Sequence, residues 1–117
     1  MAYLMLILEP RGQREDRGME RGREAYDGML RYAESLKQRG VLLATEALRH
    51  DRYGVRLTVR GGKTAVVDGP FTEAKELVGG FFLLDVGTRA EALECAAKCP
   101  AAQWATIEVR EVGPCYD

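Results

Sequence analysis

The 117-residue sequence has a single histidine, a single tryptophan and only three cysteines, Cys95, Cys99 and Cys115. An odd number of cysteines without C-x-x-C spacing encodes neither a disulfide framework nor a zinc ribbon. Cys95 and Cys99, four apart, share one face of a helix, but His50 is far away and a two-ligand set is incomplete for zinc. No metal is therefore expected, and the two cysteines read as small buried hydrophobes. Long apolar runs are missing as well. The one at residues 1–8 is interrupted by Glu9, Pro10 and Arg11, too short for a membrane span and without the basic flank of a signal peptide. The expectation is a cytoplasmic chain with no membrane partner. Charge of one sign is also lacking: 17 Lys and Arg stand against 18 Asp and Glu, a net charge of -1. No global positive field draws this chain to a phosphate backbone, so direct nucleic-acid binding is not expected. Walker A, G-x-G-x-x-G and G-x-S-x-G strings are absent, so neither a cofactor nor an activated serine is expected.

What remains is an ordinary globular composition, 46% hydrophobic and 30% charged, of a length that suits one domain over residues 1–117. Residues 2–8 form a strand apolar on both alternating sets. A charged, Gly- and Pro-containing loop over 10–18 leads to a helix at 19–39, with one apolar stripe and Gly40 as its stop. A strand at 41–48 and a charged break at 49–52 precede a hairpin, whose arms at 54–60 and 63–67 flank a Gly61-Gly62 turn. Pro70 lacks an amide donor and forces Gly69 to be extended, so the ladder stops at Asp68. A polar turn, with one helical turn capped by Thr72, is expected over 72–78, and Gly79-Gly80 then introduces a strand at 81–86. Thr88 with Glu91 is a capping box opening a helix to about residue 98, which buries Ala92, Leu93 and Ala96. Residues 105–112 close the chain as a strand.

The order β-α-β-hairpin-β-α-β predicts an α+β, ferredoxin-like split βαβ arrangement, with the core strands ordered 4-1-3-2 and the hairpin inserted. The two strands that this order makes central, 3–8 and 81–84, are the two that are apolar on both faces. Two helices cover only one face of the sheet. A second copy packed sheet to sheet is the economical cover for the other, giving a homodimer that forms a dimeric α/β barrel.

Asp68 is the most suggestive residue for chemistry: a carboxylate at a strand end beside a Gly-Pro turn suits a general acid or base at the mouth of a cleft. The same carboxylate also suits an Asx-turn. Glu46 interrupts an apolar strand, and an acid there must be paired, cleft-facing or at the rim. Lys75 lies across the turn as a potential partner of either acid or of an anion, and equally as a solvated lysine. Phe82, like Phe81, reads first as sheet core, with one of the two facing an enclosed interior. His50, flanked by Arg49, Asp51 and Arg52, is expected to be exposed.

The string V-V-D-G-P-F-T-E-A-K-E-L-V-G-G-F-F-L-L-D-V, residues 66–86, resembles the YCII-related family, specifically its DGPF branch. The opening strand, G-V-L-L-A-T-E-A-L at 40–48 and I-E-V-R at 107–110 extend the resemblance over nearly the whole chain. It implies a dimeric α/β barrel of ferredoxin-like protomers and a cleft for a small molecule. Asp68 matches the family's acidic residue, proposed as part of an acid/base site. Glu46, Pro70, Phe71, Lys75, Glu76 and Gly79-Gly80 match other motif positions, and the residues themselves suggest a cleft bounded by Glu46, Pro70 and Lys75 and walled by Phe71 and Phe82. The wider family also has a histidine on the first helix, and residues 19–39 contain none. Some relatives are fused to, or encoded beside, sigma factors. Two expectations follow: a small-molecule enzyme or binding protein centred on Asp68, or a non-enzymatic regulatory module that binds a sigma factor or another transcription component.

Overall fold

Alternation in the first strand sets the architecture. In the computed structural model, which describes residues 2–116, β1 (Tyr3–Pro10) buries Tyr3, Met5, Ile7 and Glu9 on one face and leaves Leu4, Leu6 and Leu8 half-buried on the other. It is followed by α1 (Gln13–Gln38), β2 (Leu42–Ala47), β3 (Val55–Arg60), β4 (Lys63–Asp68), β5 (Glu76–Leu84), α2 (Arg89–Ala97) and β6 (Thr106–Glu111). The main sheet is ordered β2-β5-β1-β6 with every neighbouring pair antiparallel, and β3-β4 forms a separate two-stranded sheet. This is the ferredoxin-like α+β order expected from the sequence, with β1 and β5 central.

Both helices cover the Met5 face of the sheet. Tyr32 and Leu36 of α1, with Ala92, Cys95 and Ala96 of α2, close on Tyr3, Met5, Ile7, Phe82 and Leu84. The Tyr32 hydroxyl donates to the Cys95 carbonyl at 2.6 Å and its ring meets Phe82 edge-on at 5.2 Å. One side chain thus ties the helices together above the sheet. Burial pushes the Tyr32 hydroxyl above its ordinary range, and it does the same to the Cys99 thiol. On α2 the buried set is Ala92, Cys95 and Ala96, while Leu93 is 44% exposed, so Cys95 holds the inward position expected for Leu93.

Two elements start earlier than their composition suggests. The charged stretch expected as a loop over 10–18 is helical from Gln13, because Glu15 and Asp16 complement the helix dipole and the Asp16 amide closes on the Gly12 carbonyl at 3.0 Å. Gly18, at φ 81° and ψ 171°, then breaks α1 into a short leading piece and a long following one. The polar turn expected over 72–78 gives way at Glu76 to β5, whose first residues pair with Leu8, Glu9 and Pro10. Gly79 is the extra residue of a bulge between the Ile7–Gly80 and Leu8–Val78 pairs.

Every residue of the β3-β4 hairpin is exposed. Its turn has positive φ at both Gly61 and Gly62, as a tight two-residue hairpin requires. At its base the Gly69 amide donates to the Gly54 carbonyl at 2.9 Å. Gly69 lies so close to the Asp51 carbonyl that a Cβ would sit 1.9 Å from the oxygen.

Candidate functional site

Between α1 and the β2-β5 side of the sheet lies a cavity of about 970 Å³. Ile7 and Phe82 of the sheet and Tyr26, Met29 and Leu30 of α1 make its apolar wall; Glu9, Arg14, Glu15 and His50 make a polar end.

The polar end is built from short-range rules. Glu9 continues the inward alternation of β1, so it is buried, at 3% exposure, and needs a partner. Arg14, on the first turn of α1, supplies a two-pronged one, with Nε 3.1 Å from Oε1 and Nη2 2.6 Å from Oε2, and also donates to the Leu48 carbonyl at 3.0 Å. The β5 bulge makes room for this pair, since a Cβ on Gly79 would stand 1.7 Å from Glu9 Oε2. His50 caps a short helical turn at Asp51–Tyr53, its Nδ1 accepting the Arg52 amide at 3.0 Å. With Nδ1 an acceptor, the neutral ring carries its proton on Nε2, which stands 3.3 Å from Glu15 Oε1. The side chain is only 9% exposed. The sequence expectation that His50 lies in solvent is therefore corrected: the charged turn folds back, and its own amide anchors the ring at the cavity.

Asp51 connects this end to the D-G-P-F turn. Its carboxylate is gripped by the Arg11 guanidinium, Nη1 to Oδ1 at 3.1 Å and Nη2 to Oδ2, and also accepts the Phe71 amide at 3.3 Å. The Arg11 hydrogen bond, more than the Phe71 amide, holds the Asp51 carboxyl down at about 2 and raises Arg11 in turn. Arg11 also binds the turn directly, its Nε donating to the Ala74 carbonyl at 2.6 Å and its backbone amide to the Lys75 carbonyl at 2.8 Å. At the rim, Tyr53 carries Arg49 at 3.6 Å and Arg52 at 4.9 Å over its ring, and Arg17 lies 4.4 Å over Trp104. A hydrogen bond from Arg52 and the two positive charges pull the Tyr53 hydroxyl below the ordinary tyrosine range.

Of the site residues expected from sequence, Glu46 and Phe82 line the cavity, although Phe82 also belongs to the core. Asp68 is exposed at the end of β4 opposite Val55, and Pro70 and Lys75 are exposed as well. Phe71 is buried under the Arg56 guanidinium at 3.8 Å. These four lie around the turn and outside the cavity lining. Glu9, Arg14 and Glu15 were not foreseen. Glu9 carries a local signal, an acid at an inward position of an apolar strand, whereas Glu46 is exposed and pairs with Phe81 on the sheet face opposite the helices. Among the described residues no group of three or more His, Cys, Asp or Glu is placed to hold a metal ion, and no helix is long and apolar enough to cross a membrane.

The model of the YCII-related domain matches residues 1–115. The chain belongs to the YCII-related family. No curated protein matches it significantly. Among solved structures, this YCII-related protein is similar to 5-chloro-2-hydroxyhydroquinone dehydrochlorinase (TftG) from Burkholderia phenoliruptrix AC1100, in complex with 2,5-dihydroxybenzoquinone. That similarity has a TM-score of 0.55 at 17% identity, over 97% of this chain and 94% of that one. At that identity the likeness establishes a shared fold.

Proposed function

We propose that this YCII-related protein is an enzyme of the DGPF branch that binds a small organic molecule between α1 and the β2-β5 edge and moves a proton through His50. The observation that carries this reading is the nearly buried His50, with Nε2 3.3 Å from Glu15, at the end of a cavity of about 970 Å³. Taking up a proton at Nδ1 requires that nitrogen to exchange the Arg52 amide, which it accepts, for the Asp51 carboxylate, whose Oδ1 stands 3.3 Å away. The Nε2–H beside Glu15 is then the proton to give to a bound substrate and recover. Such an arrangement stands in for the histidine that the first helix lacks. The fold shared with a dehydrochlorinase supports an enzyme, and the D-G-P-F string at 68–71 supports the branch. Glu46 and Phe82 contribute to the cleft in this reading. Asp68 is the competing acid/base group, with Pro70, Phe71 and Lys75 forming the surface around it. A homodimeric barrel, covering the Leu4, Leu6, Phe81 and Leu83 face, completes the protein.

The test is a thermal-shift screen of wild type against central metabolites and hydroxylated aromatic compounds, followed by turnover assays on the hits with His50→Gln and Asp68→Asn. The expected result is a loss of about 100-fold or more in turnover for His50→Gln, the usual contribution of a general acid or base, and little loss for Asp68→Asn. The reverse order moves the chemistry to Asp68, and turnover unaffected by either change removes the acid/base reading.

A second reading, a non-enzymatic module that binds a sigma factor or another transcription component, is favoured by one feature. The hairpin exposes Val55, Leu57 and Val59 along one side. Co-purification of a sigma factor that is lost on Leu57→Asp would favour it, and a hit that is turned over would count against it.

A further inference from the structure

The charge around the cavity differs from that of the whole chain. Five arginines, Arg14, Arg17, Arg23, Arg49 and Arg52, line it against Glu9, Glu15 and Glu46, a formal +2 with His50 neutral. The whole chain carries -1, which leaves -3 on everything else. Arg14 is committed to Glu9. Among the described residues, Arg17, Arg23, Arg49 and Arg52 form no ion pair with a carboxylate. Arg49 and Arg52 are at the same time gathered at the rim, their guanidinium carbons 3.6 and 4.9 Å from the centre of the Tyr53 ring. A guanidinium has five N–H donors, so those not used on Tyr53 remain to bind a ligand, and a guanidinium held over a ring loses less side-chain freedom in doing so than an unsupported one. Facing this cationic rim, the wall on α1 is apolar and incompletely covered: Tyr26 is 51% exposed and Leu30 50%.

We infer that the cavity selects organic acids with an aromatic or similarly bulky apolar body, the body lying along Tyr26, Met29, Leu30 and Phe82 and the carboxylate meeting Arg49 and Arg52. This inference rests on the cavity being the ligand site, as proposed above, and adds the ligand's chemical class. A bare inorganic anion leaves the apolar wall wet, and a neutral ring leaves two positioned guanidiniums unused. An amphipathic carboxylate satisfies both, and the cavity volume falls in the range of sites for drug-sized ligands.

Calorimetric titration of the full chain with 1-naphthoate and with uncharged 1-naphthamide separates the two parts. Wild type is expected to bind the naphthoate about tenfold or more tighter than the amide, the lower end of what a charge-assisted hydrogen bond contributes. In an Arg49→Gln, Arg52→Gln double variant the preference should fall to about threefold or less, with the amide losing less affinity than the naphthoate, and a cooperative thermal melt reports that the variant is folded. Equal or tighter binding of the amide, or a double variant that keeps the preference, overturns the charge inference and leaves the cavity reading standing. Binding of neither compound overturns the inference, and if the metabolite screen is also blank, the cavity reading fails with it.

Discussion

Glu9 and Arg14 show what a single inward acid demands. The pair is worth little as a net source of stability, but removing one member strands the other. Arg14→Met is expected to cost about 2–3 kcal/mol in urea denaturation, at or just below the bottom of the range for a fully buried pair, because the Arg14 side chain is partly exposed, at 29%. Glu9→Gln with Arg14→Met should recover part of that loss. Gly79→Ala acts on the same carboxylate from outside, driving a methyl group into Oε2, and should destabilise by a similar amount, about 2 kcal/mol or more. Asp51 contributes through pH. Its carboxyl is held at about 2 by Arg11, against an ordinary value near 4. The depressed value means that its contribution is fully present above about pH 4 and is lost as pH falls toward 2. Thermal melts between pH 5 and pH 2 should therefore fall less steeply for Asp51→Asn than for wild type, although that variant starts from a lower stability at neutral pH.

Elements were legible in sequence where periodicity and turn chemistry act alone, and illegible where tertiary pairing overrides them. The doubly apolar strands at β1 and β5 gave away the sheet order, Thr88 with Glu91 gave away the start of α2, and Gly61-Gly62 gave away the hairpin. The stretch over 13–17 looked like solvent-exposed loop because it is charged. Several of its polar side chains are in fact engaged: Arg14 binds Glu9, Arg17 binds Gln13 at 3.0 Å, and Gln13 donates to the Trp104 carbonyl at 2.6 Å. Composition does not show such partners, least of all Trp104, 91 positions from Gln13. The same blindness hid the polar end of the cavity. Local chemistry singled out Asp68, whereas His50 is brought to Glu15 by a turn whose fold depends on Arg11, 40 positions away from Asp51. The hairpin base is the element most open to test. Gly69→Ala places a methyl group against the Asp51 carbonyl and should cost about 2–4 kcal/mol. Hydrogen exchange is expected to show the loss first at the hairpin and the Phe71 amide.

At the scale of the molecule, shape and surface point the same way. The radius of gyration is 16.0 Å and the extents are 46 × 41 × 19 Å, against about 13 Å expected for a compact chain of this length. The excess comes with a projecting hairpin, and an isolated two-stranded hairpin is marginal in water. Leu4, Leu6, Phe81 and Leu83 also share the sheet face opposite the helices. Light scattering is expected to give twice the 13.0 kDa chain mass, and Leu6→Lys, at the centre of that face, should return the monomer. A wild-type monomer would remove the barrel.

The break at Gly18 divides the labour of α1. Its leading piece, fastened to β1 and Trp104, carries the carboxylate that faces His50, while the longer piece beyond the break supplies Tyr26, Met29 and Leu30. In the proposed function, proton chemistry and substrate fit are thus housed on separate rods joined at one residue. On that reading, substitutions confined to the far rod should change which ligand fits while leaving the carboxylate that faces His50 in place.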